Sequence, residues 1–290
     1  MVSIYRSYAY FTNSIIKVCP PAALREHLKE EINKGYKYIT YPKARQILHK
    51  DIGEIDIYGD NTLDKNVEHI FPQSKFKERQ DKNKMRSDLH NLYLCNTILN
   101  NQRQNFKYID SSEVSEHDNI KILDLKGKEV TSQSEMFKKN GYLMITNRRK
   151  KTFIPTTYSR GKISRSLSYF AIKYNFVKEL EEVINMKTLI EWNLKDPVDN
   201  EEYLKNIKVY KHQGNINPFI LEPSLVHYCF SDIFKVNDET LNKERVSNIN
   251  PLYTIDWLLK ELSDCEKING KKDINIKKLS VIYNQSIKKH

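Results

Sequence analysis

The 290 residues suffice for one large domain or one domain with an appendage, and 39% hydrophobic residues with 18 Tyr exclude a disordered chain. The 48 Lys+Arg against 37 Asp+Glu leave a net charge of +11, which suits a polyanionic partner such as nucleic acid, although an ordinary solvated basic surface gives the same balance. Four scattered cysteines, Cys19, Cys95, Cys229 and Cys265, argue against a zinc ribbon and a disulfide scaffold and favour a reducing interior.

The N-terminal stretch is interrupted by Arg6 and Lys17 and lacks a clean apolar segment with a small-residue cleavage site, so no signal peptide is expected. No apolar run reaches the length of a membrane span, and the expectation is a soluble protein without a membrane partner, intracellular in first place with a secreted or virion-associated one as alternatives. From Pro21 to Lys34, Pro near the start and Leu24, Leu28 and Ile32 at four-residue spacing predict a helix, with Gly35 as its stop. A second helix is expected over Tyr41–His49. Glu54–Tyr58 reads as a strand ended by Gly59-Asp60-Asn61, and Val67–Phe71 as a short apolar segment closed by Pro72.

Asp88–Leu94 reads as a strand or extended loop and Asn96–Phe106 as a polar helix. A hairpin is expected over Lys121–Val130, turning at Lys126-Gly127-Lys128, and a strand over Tyr142–Thr146, before the basic run Arg148-Arg149-Lys150-Lys151. Helical patterns then cover Ser159–Tyr174, Val177–Asn185 and Asn200–His212, with a short helix after Pro223 and another at Tyr253–Leu262. The tail Cys265–His290 carries seven Lys against one Glu and one Asp. The fold class expected is α+β: a mostly helical domain around a small β element at residues 1–223, with a helical, basic C-terminal extension at 224–290.

Three segments carry chemistry. In Asn66-Val67-Glu68-His69-Ile70-Phe71-Pro72-Gln73-Ser74, a carboxylate that can bind a hard cation adjoins an imidazole that titrates near neutrality. Adjacent side chains on a regular strand point to opposite faces, so both reach one site only at a bulge or a strand end. The second segment is Asp88-Leu89-His90-Asn91-Leu92 followed by Asn100-Asn101-Gln102-Arg103-Gln104-Asn105. Amide oxygens ligate hard cations without adding charge, while Asn91, Asn101 and Asn105 are read as turn staples. In the third, Arg160-Gly161-Lys162-Ile163-Ser164-Arg165, both arginines can grip phosphates or simply coat the surface, while Ile163, Leu167 and Phe170 face the core. Gln213-Gly214-Asn215-Ile216-Asn217-Pro218-Phe219 reads as a helix end that buries Phe219.

The ordered set Asn-x-Glu-His-x-x-Pro-x-Ser, Asp-Leu-His-Asn-Leu, Asn-x-x-Arg-x-Asn, Arg-Gly-x-x-x-Arg and Gln-Gly-Asn-x-Asn-Pro-Phe resembles the bacterial endonuclease I family, from about Leu28 to Ile220 and including Gly35 to Arg45. The resemblance implies a non-specific, Mg2+-dependent nuclease built on a ββα-metal finger, acting chiefly on double-stranded DNA, with RNA left open as a further substrate. Glu68 then matches the carboxylate metal ligand, His69 the general base and Asn100 the amide ligand of one Mg2+, at a site that Mn2+ or Ca2+ can also take. The family's phosphate-steadying arginine has two candidates, Arg86 and Arg79, and Arg86, Arg103, Arg160 and Arg165 are the expected nucleic-acid contacts. The chain departs from the family at Tyr93-Leu94-Cys95, where Pro and Gly are usual, and in lacking the signal peptide and disulfides of secreted members. Two rivals are a non-catalytic nucleic-acid-binding or packaging protein, and a site-specific or RNA-directed nuclease with the same chemistry.

Overall fold

A computed structural model of the chain describes residues 20–53, 56–59, 64–114, 120–130 and 151–234, with the backbone alone at 143–146. Expectations placed on residues 1–19, on 148–150, on the helix at Tyr253–Leu262 and on the basic tail lie outside these residues.

The first helix, α1 (Pro21–Asn33), buries Leu24, Leu28 and Ile32 along one stripe, as four-residue spacing demands. Helix α2 (Tyr41–Ile47) runs into a π-turn at Leu48–Ile52. Ala44, Ile47, Leu48 and Ile52 join Leu89, Leu92, Leu94 and Val209 in a small core, and Val67 packs against it. Instead of the strand expected over Glu54–Tyr58, Asp56 makes an isolated bridge to Leu94, and residues 54–55 are not described.

Strand β1 (Lys65–His69) pairs antiparallel with β2 (Leu92–Asn96) in unbroken register, from Lys65 opposite Asn96 to His69 opposite Leu92. A 3-10 turn at Gln73–Lys75 and the short helix α3 (Lys82–Arg86) lie in the connection. Asn96 both ends β2 and caps the next helix, α4 (Thr97–Arg103), its side chain accepting from the amides of Ile98 (2.9 Å) and Leu99 (3.2 Å). The cap makes the strand turn directly into the helix with no loop between, and α4 packs back on the pair. The segment expected as a strand or extended loop over Asp88–Leu94 is a turn at 88–91 followed by β2, with the side chains of Asp88 and Asn91 anchoring the turn.

A second sheet of four short strands follows, in the order β3–β6–β5–β4: β3 (Lys107–Tyr108), β4 (Ile120–Leu123), β5 (Leu143–Thr146) and β6 (Thr152–Ile154). Strand β3 runs parallel to β6, and the other pairings are antiparallel. The expected turn at Lys126-Gly127-Lys128 is present, held by Asp124, which accepts from the Lys126 and Lys128 amides.

Helix α5 (Thr157–Tyr174) is the centre of the domain and is buried along most of its length. Ile163, Leu167 and Phe170 enter the main core, where Phe170 stacks on Phe71 at 4.7 Å between ring centroids. Its polar residues are satisfied internally: Ser164 donates to the Leu189 carbonyl (2.7 Å) and Ser166 to the His90 carbonyl (2.7 Å). Gly161 is required by close approach, since a Cβ there would lie 2.0 Å from the Asp196 carbonyl oxygen.

The helix expected at Val177–Asn185 is only a 3-10 turn at Glu179–Glu182, and the real helix, α6 (Met186–Lys195), begins where that one was expected to end. The reason is the Asn185 side chain, which accepts from the Thr188 amide (2.7 Å) and so starts a helix instead of finishing one. Helix α7 (Asn200–Gln213) stops at Gly214, left-handed with φ +79, as expected. The short α8 (Pro218–Leu221) buries Phe219. Helix α9 (Ser224–Phe230) packs on α1, α6 and α8, and contributes Leu225, Val226, Cys229 and Phe230 to the main core. Arg25 of α1 also forks onto Asp232 at 2.7 and 2.8 Å. The expected boundary after residue 223 therefore cuts through packed structure, and residues 224–234 belong with the domain.

Arg165 departs from expectation as well. It is 0% exposed, forks onto Glu202 at 2.8 and 2.6 Å, and spends Nη1 on Asn193 and the Asp196 carbonyl. A guanidinium so enclosed ties α5 to α6 and α7 and touches no phosphate. Replacing it by Ala leaves Glu202 buried without its counter-charge, which should lower stability by roughly 3–5 kcal/mol. Urea denaturation measures this, and a change below about 1 kcal/mol would mean the pair is solvated.

Candidate active site

His69 is the last residue of β1, so the strand end, and no bulge, sets its direction. Its Nε2 lies 2.9 Å from the Arg86 carbonyl oxygen. A carbonyl only accepts, so Nε2 carries the hydrogen and Nδ1 keeps its lone pair. The Gln73 amide donates to Nδ1 at 3.1 Å. The His69 ring sits 5.7 Å from that of Tyr41, and the Arg86 guanidinium lies 4.1 Å over the same Tyr41 ring. The Arg86 carbonyl can serve because α3 ends there, and terminal helix carbonyls have no intrahelical amide to bind.

Glu68 points the other way. Its Oε1 accepts from the Tyr58 hydroxyl (2.9 Å) and pairs with Arg103 Nη1 (2.9 Å), and both charged side chains are buried. The Tyr58 and Tyr108 hydroxyls are themselves hydrogen-bonded, and Arg103 stacks over the Tyr108 ring at 4.5 Å. Burial raises the Glu68 pKa, while Arg103 and the Tyr58 hydroxyl pull it down. Burial also raises the Tyr58 phenol well above its ordinary range, which keeps it a donor to the carboxylate. Burial alone would lower the Arg103 pKa, yet the Glu68 charge holds it above the ordinary value.

Asn100 comes to the same face as Glu68. Its Nδ2 donates to Asn66 Oδ1 (2.6 Å) and to the Val67 carbonyl (3.3 Å). Asn66 and Glu68 are two apart on β1 and share a face, and Asn100 and Arg103 are three apart on α4 and share another. Asn100 bonds Asn66 while Arg103 bonds Glu68, so these two faces lie against each other. With the Asn100 nitrogen engaged on β1, its Oδ1 is available as an acceptor or ligand. His69 and Val67 occupy the opposite face of the strand, toward α2. The structure thus brings Glu68 and Asn100 to one face of the strand and puts His69 at its end, on the other face.

The donor set, one carboxylate and one amide oxygen, is of the kind a hard cation takes. Among the described residues no three His, Cys, Asp or Glu side chains cluster as a zinc site would require.

The arginines separate clearly. Arg103 is 1% exposed, and besides Glu68 it donates to the carbonyls of Gln104 (2.9 Å) and Ile70 (3.2 Å). The expectation that it contacts nucleic acid is therefore corrected: it is an internal tie between α4 and the end of β1. Arg160 is bound to Asp110 at 3.0 Å and lies over Trp192. Arg79 is laid over Phe176 and donates to the Tyr174 carbonyl. Arg86 is exposed, forms no ion pair among the described residues, and stands next to His69.

Four residues of the site escaped the sequence reading. Gln73 was legible, since it lies inside the Glu-His-x-x-Pro-x-Ser segment, and so was Tyr41, beside Pro42. Tyr58 and Tyr108 gave no signal, because Tyr58 bonds Glu68 from ten residues away and Tyr108 bonds Tyr58 from fifty.

The family model for Endonuclease I matches residues 41–224, more than half of the chain. The chain belongs to the endonuclease I family. It is 27% identical over 141 residues to an extracellular deoxyribonuclease of Aeromonas hydrophila, covering 48% of this chain and 50% of that one. It is 37% identical over 81 residues to an extracellular ribonuclease of Bacillus subtilis (strain 168), covering 22% of this chain and 27% of that one. The chain thus spans half or less of the length of these curated relatives. In this family member no helix among the described residues is long and apolar enough to cross a membrane.

Burial, with the Arg86 and Arg103 cations nearby, holds the His69 imidazole at about 4, against the pull of the Arg86 carbonyl. A folded value below the unfolded one means that the unfolded chain takes the proton first as pH falls. This residue's contribution to stability is therefore lost between about pH 6.5 and pH 4. The His69 ring should remain neutral at pH 5.5 in the metal-free protein, with an NMR titration midpoint near 4. A midpoint at the ordinary imidazole value would show that the ring is solvated.

Proposed function

We propose that this chain is a metal-dependent nuclease that hydrolyses phosphodiester bonds, with His69 as general base and Glu68 and Asn100 as the cation ligands. The observation that carries the reading is the fixed tautomer of His69: Nε2 donates to the Arg86 carbonyl, and the lone pair of Nδ1 is directed away from it. In this reading β1, β2 and α4 form a ββα-metal finger. The names of the relatives, one a deoxyribonuclease and one a ribonuclease, support nucleic acid as the substrate, with DNA the first choice and RNA the second.

The chemistry follows from the residues. A water placed against Nδ1, where the Gln73 amide now donates, gives its proton to His69 as its oxygen attacks phosphorus, while the bond from phosphorus to the sugar 3′ oxygen breaks and that oxygen takes a proton from water. Burial lowers the imidazole pKa, which leaves the ring neutral and able to accept a proton at neutral pH. Glu68 and the Asn100 Oδ1 would hold one Mg2+, or Mn2+ or Ca2+ in its place, and that ion would supply neutralisation of the charge developing on the phosphate. Arg86, carried on the Tyr41 ring beside His69, would bind a phosphate oxygen. Its position favours it over Arg79 for that role. Contacts of this kind read backbone and not bases, so little sequence preference is expected.

His69→Ala should lower turnover by about 10²–10⁴ while leaving nucleic-acid binding largely intact. Plasmid nicking by the wild type should stop in EDTA, and Glu68→Gln, which keeps the buried shape, should not respond to added Mg2+. Plasmid, single-stranded DNA and RNA digested side by side rank the substrates. Cleavage that survives both EDTA and His69→Ala would refute the assignment, and binding without any cleavage would favour a packaging protein.

A further inference from the structure

The Arg86 carbonyl that fixes His69 belongs to a loop whose position needs a cause. Between the end of α3 and the start of β2 the chain has only residues 87–91, and a short connecting turn normally lies in solvent. Here Asp88 is 0% exposed. Its carboxylate accepts from Lys173 Nζ (2.6 Å), the Tyr174 hydroxyl (2.8 Å), the Tyr169 hydroxyl (3.1 Å) and Gln213 Nε2 (2.9 Å). It also accepts from the amide of His90, inside its own turn, at 3.1 Å. The other side of Gln213 takes the Leu89 amide at 2.9 Å, so α5 and α7 grip the turn together.

The far end of the turn is fastened to the chain leaving β1. Asn91 accepts from the Phe71 amide (2.7 Å) and donates to the Phe71 carbonyl (3.2 Å), while the Ile70 amide bonds the Asn91 carbonyl (3.1 Å). His69 is the residue before Ile70, and Arg86 lies two before Asp88. The donor and the acceptor of the critical hydrogen bond are thus each within two residues of an anchor, and both anchors sit on the same turn.

We propose that the buried Asp88–Lys173 pair is a positioning device that holds the Arg86 carbonyl against His69 Nε2 and so fixes the imidazole for catalysis; this rests on the nuclease reading for its catalytic part only. Stability alone is a poor reason for such a pair, because desolvating two charges costs as much as their attraction returns, and apolar replacements often serve as well. What a buried charge pair with five donors supplies is a fixed location. Lys173 is itself placed, with Nζ 3.3 Å from the centre of the Tyr36 ring. Asp88 touches no substrate in this scheme, and its effect passes through the Arg86 carbonyl.

The test uses the full chain with Asp88→Asn, which keeps the shape and removes the charge, and with the double variant Asp88→Asn/Lys173→Met, which removes both charges. Three readouts are taken: thermal melting, kcat and KM for Mg2+-dependent plasmid cleavage, and the side-chain 15N–1H spectrum of His69. The expected result for Asp88→Asn is a folded protein with KM within about twofold of the wild type and kcat lowered about 10–100-fold, the cost of a small misplacement of a catalytic group. Its His69 spectrum should change from a single Nε2–H tautomer to a mixture. The double variant should melt higher than the single one and yet keep the low kcat and the mixed tautomer, which a purely structural pair would not do. If Asp88→Asn does not fold, Tyr174→Phe removes one donor and keeps the pair, and the same direction of change is expected in weaker form. A folded Asp88→Asn with wild-type kcat and a single Nε2–H tautomer overturns the proposal. Should the wild type itself fail to cleave, the nuclease reading falls, while the tautomer spectrum still decides whether Asp88 positions His69.

Discussion

The hydrogen bond from His69 Nε2 to the Arg86 carbonyl decides which ring nitrogen is left to act, and the surrounding structure serves to keep it in place. A helix end supplies the acceptor, since the last carbonyls of α3 have no partner within the helix. A strand end supplies the donor, since β1 stays regular up to His69. Neither would persist if the two chain ends were free to fray. They are joined through the turn at 87–91, which Asp88 secures to α5 and α7 and Asn91 to the exit of β1.

The other face of β1 is organised by charge instead of by backbone. Glu68 is buried in the company of Arg103, Tyr58 and Tyr108, with Asn100 on the same helix face as Arg103. A carboxylate in such a place is costly to keep charged unless it is fully bonded. The Arg103 pair and the Tyr58 hydroxyl meet that cost, and they also fix where the carboxylate oxygens stand. Arg103 further binds the Ile70 carbonyl just past His69, so the same guanidinium links the two faces of the strand. The site is thus stiff because its polar groups are nearly all spent on one another.

Much of this was legible beforehand, and the rest was not for identifiable reasons. Adjacent Glu68 and His69, followed by Asn100 at the start of an amide-rich run, stood out by residue type, and four-residue spacing gave α1 at once. Arginine placement was opaque. Arg103 and Arg165 look like surface cations in the sequence, and only their carboxylate partners, Glu68 at 35 residues and Glu202 at 37, draw them inside. Asn185 illustrates a different ambiguity, because an amide between two apolar stretches can end one helix or begin the next, and here it caps the next. The turn at Asp88 was hidden for the same reason as the arginines: its four side-chain donors come from two distant helices.

The most direct test of the account is paramagnetic. Substoichiometric Mn2+ added to 15N-labelled protein should broaden the amide signals of Glu68 and Asn100 and the ring signals of His69 before any others, and Mg2+ should reverse the effect. Glu68→Gln combined with Asn100→Ala should abolish it. Broadening centred on another part of the chain, or unchanged in that double variant, would contradict the claim that these residues share one cation beside a fixed imidazole.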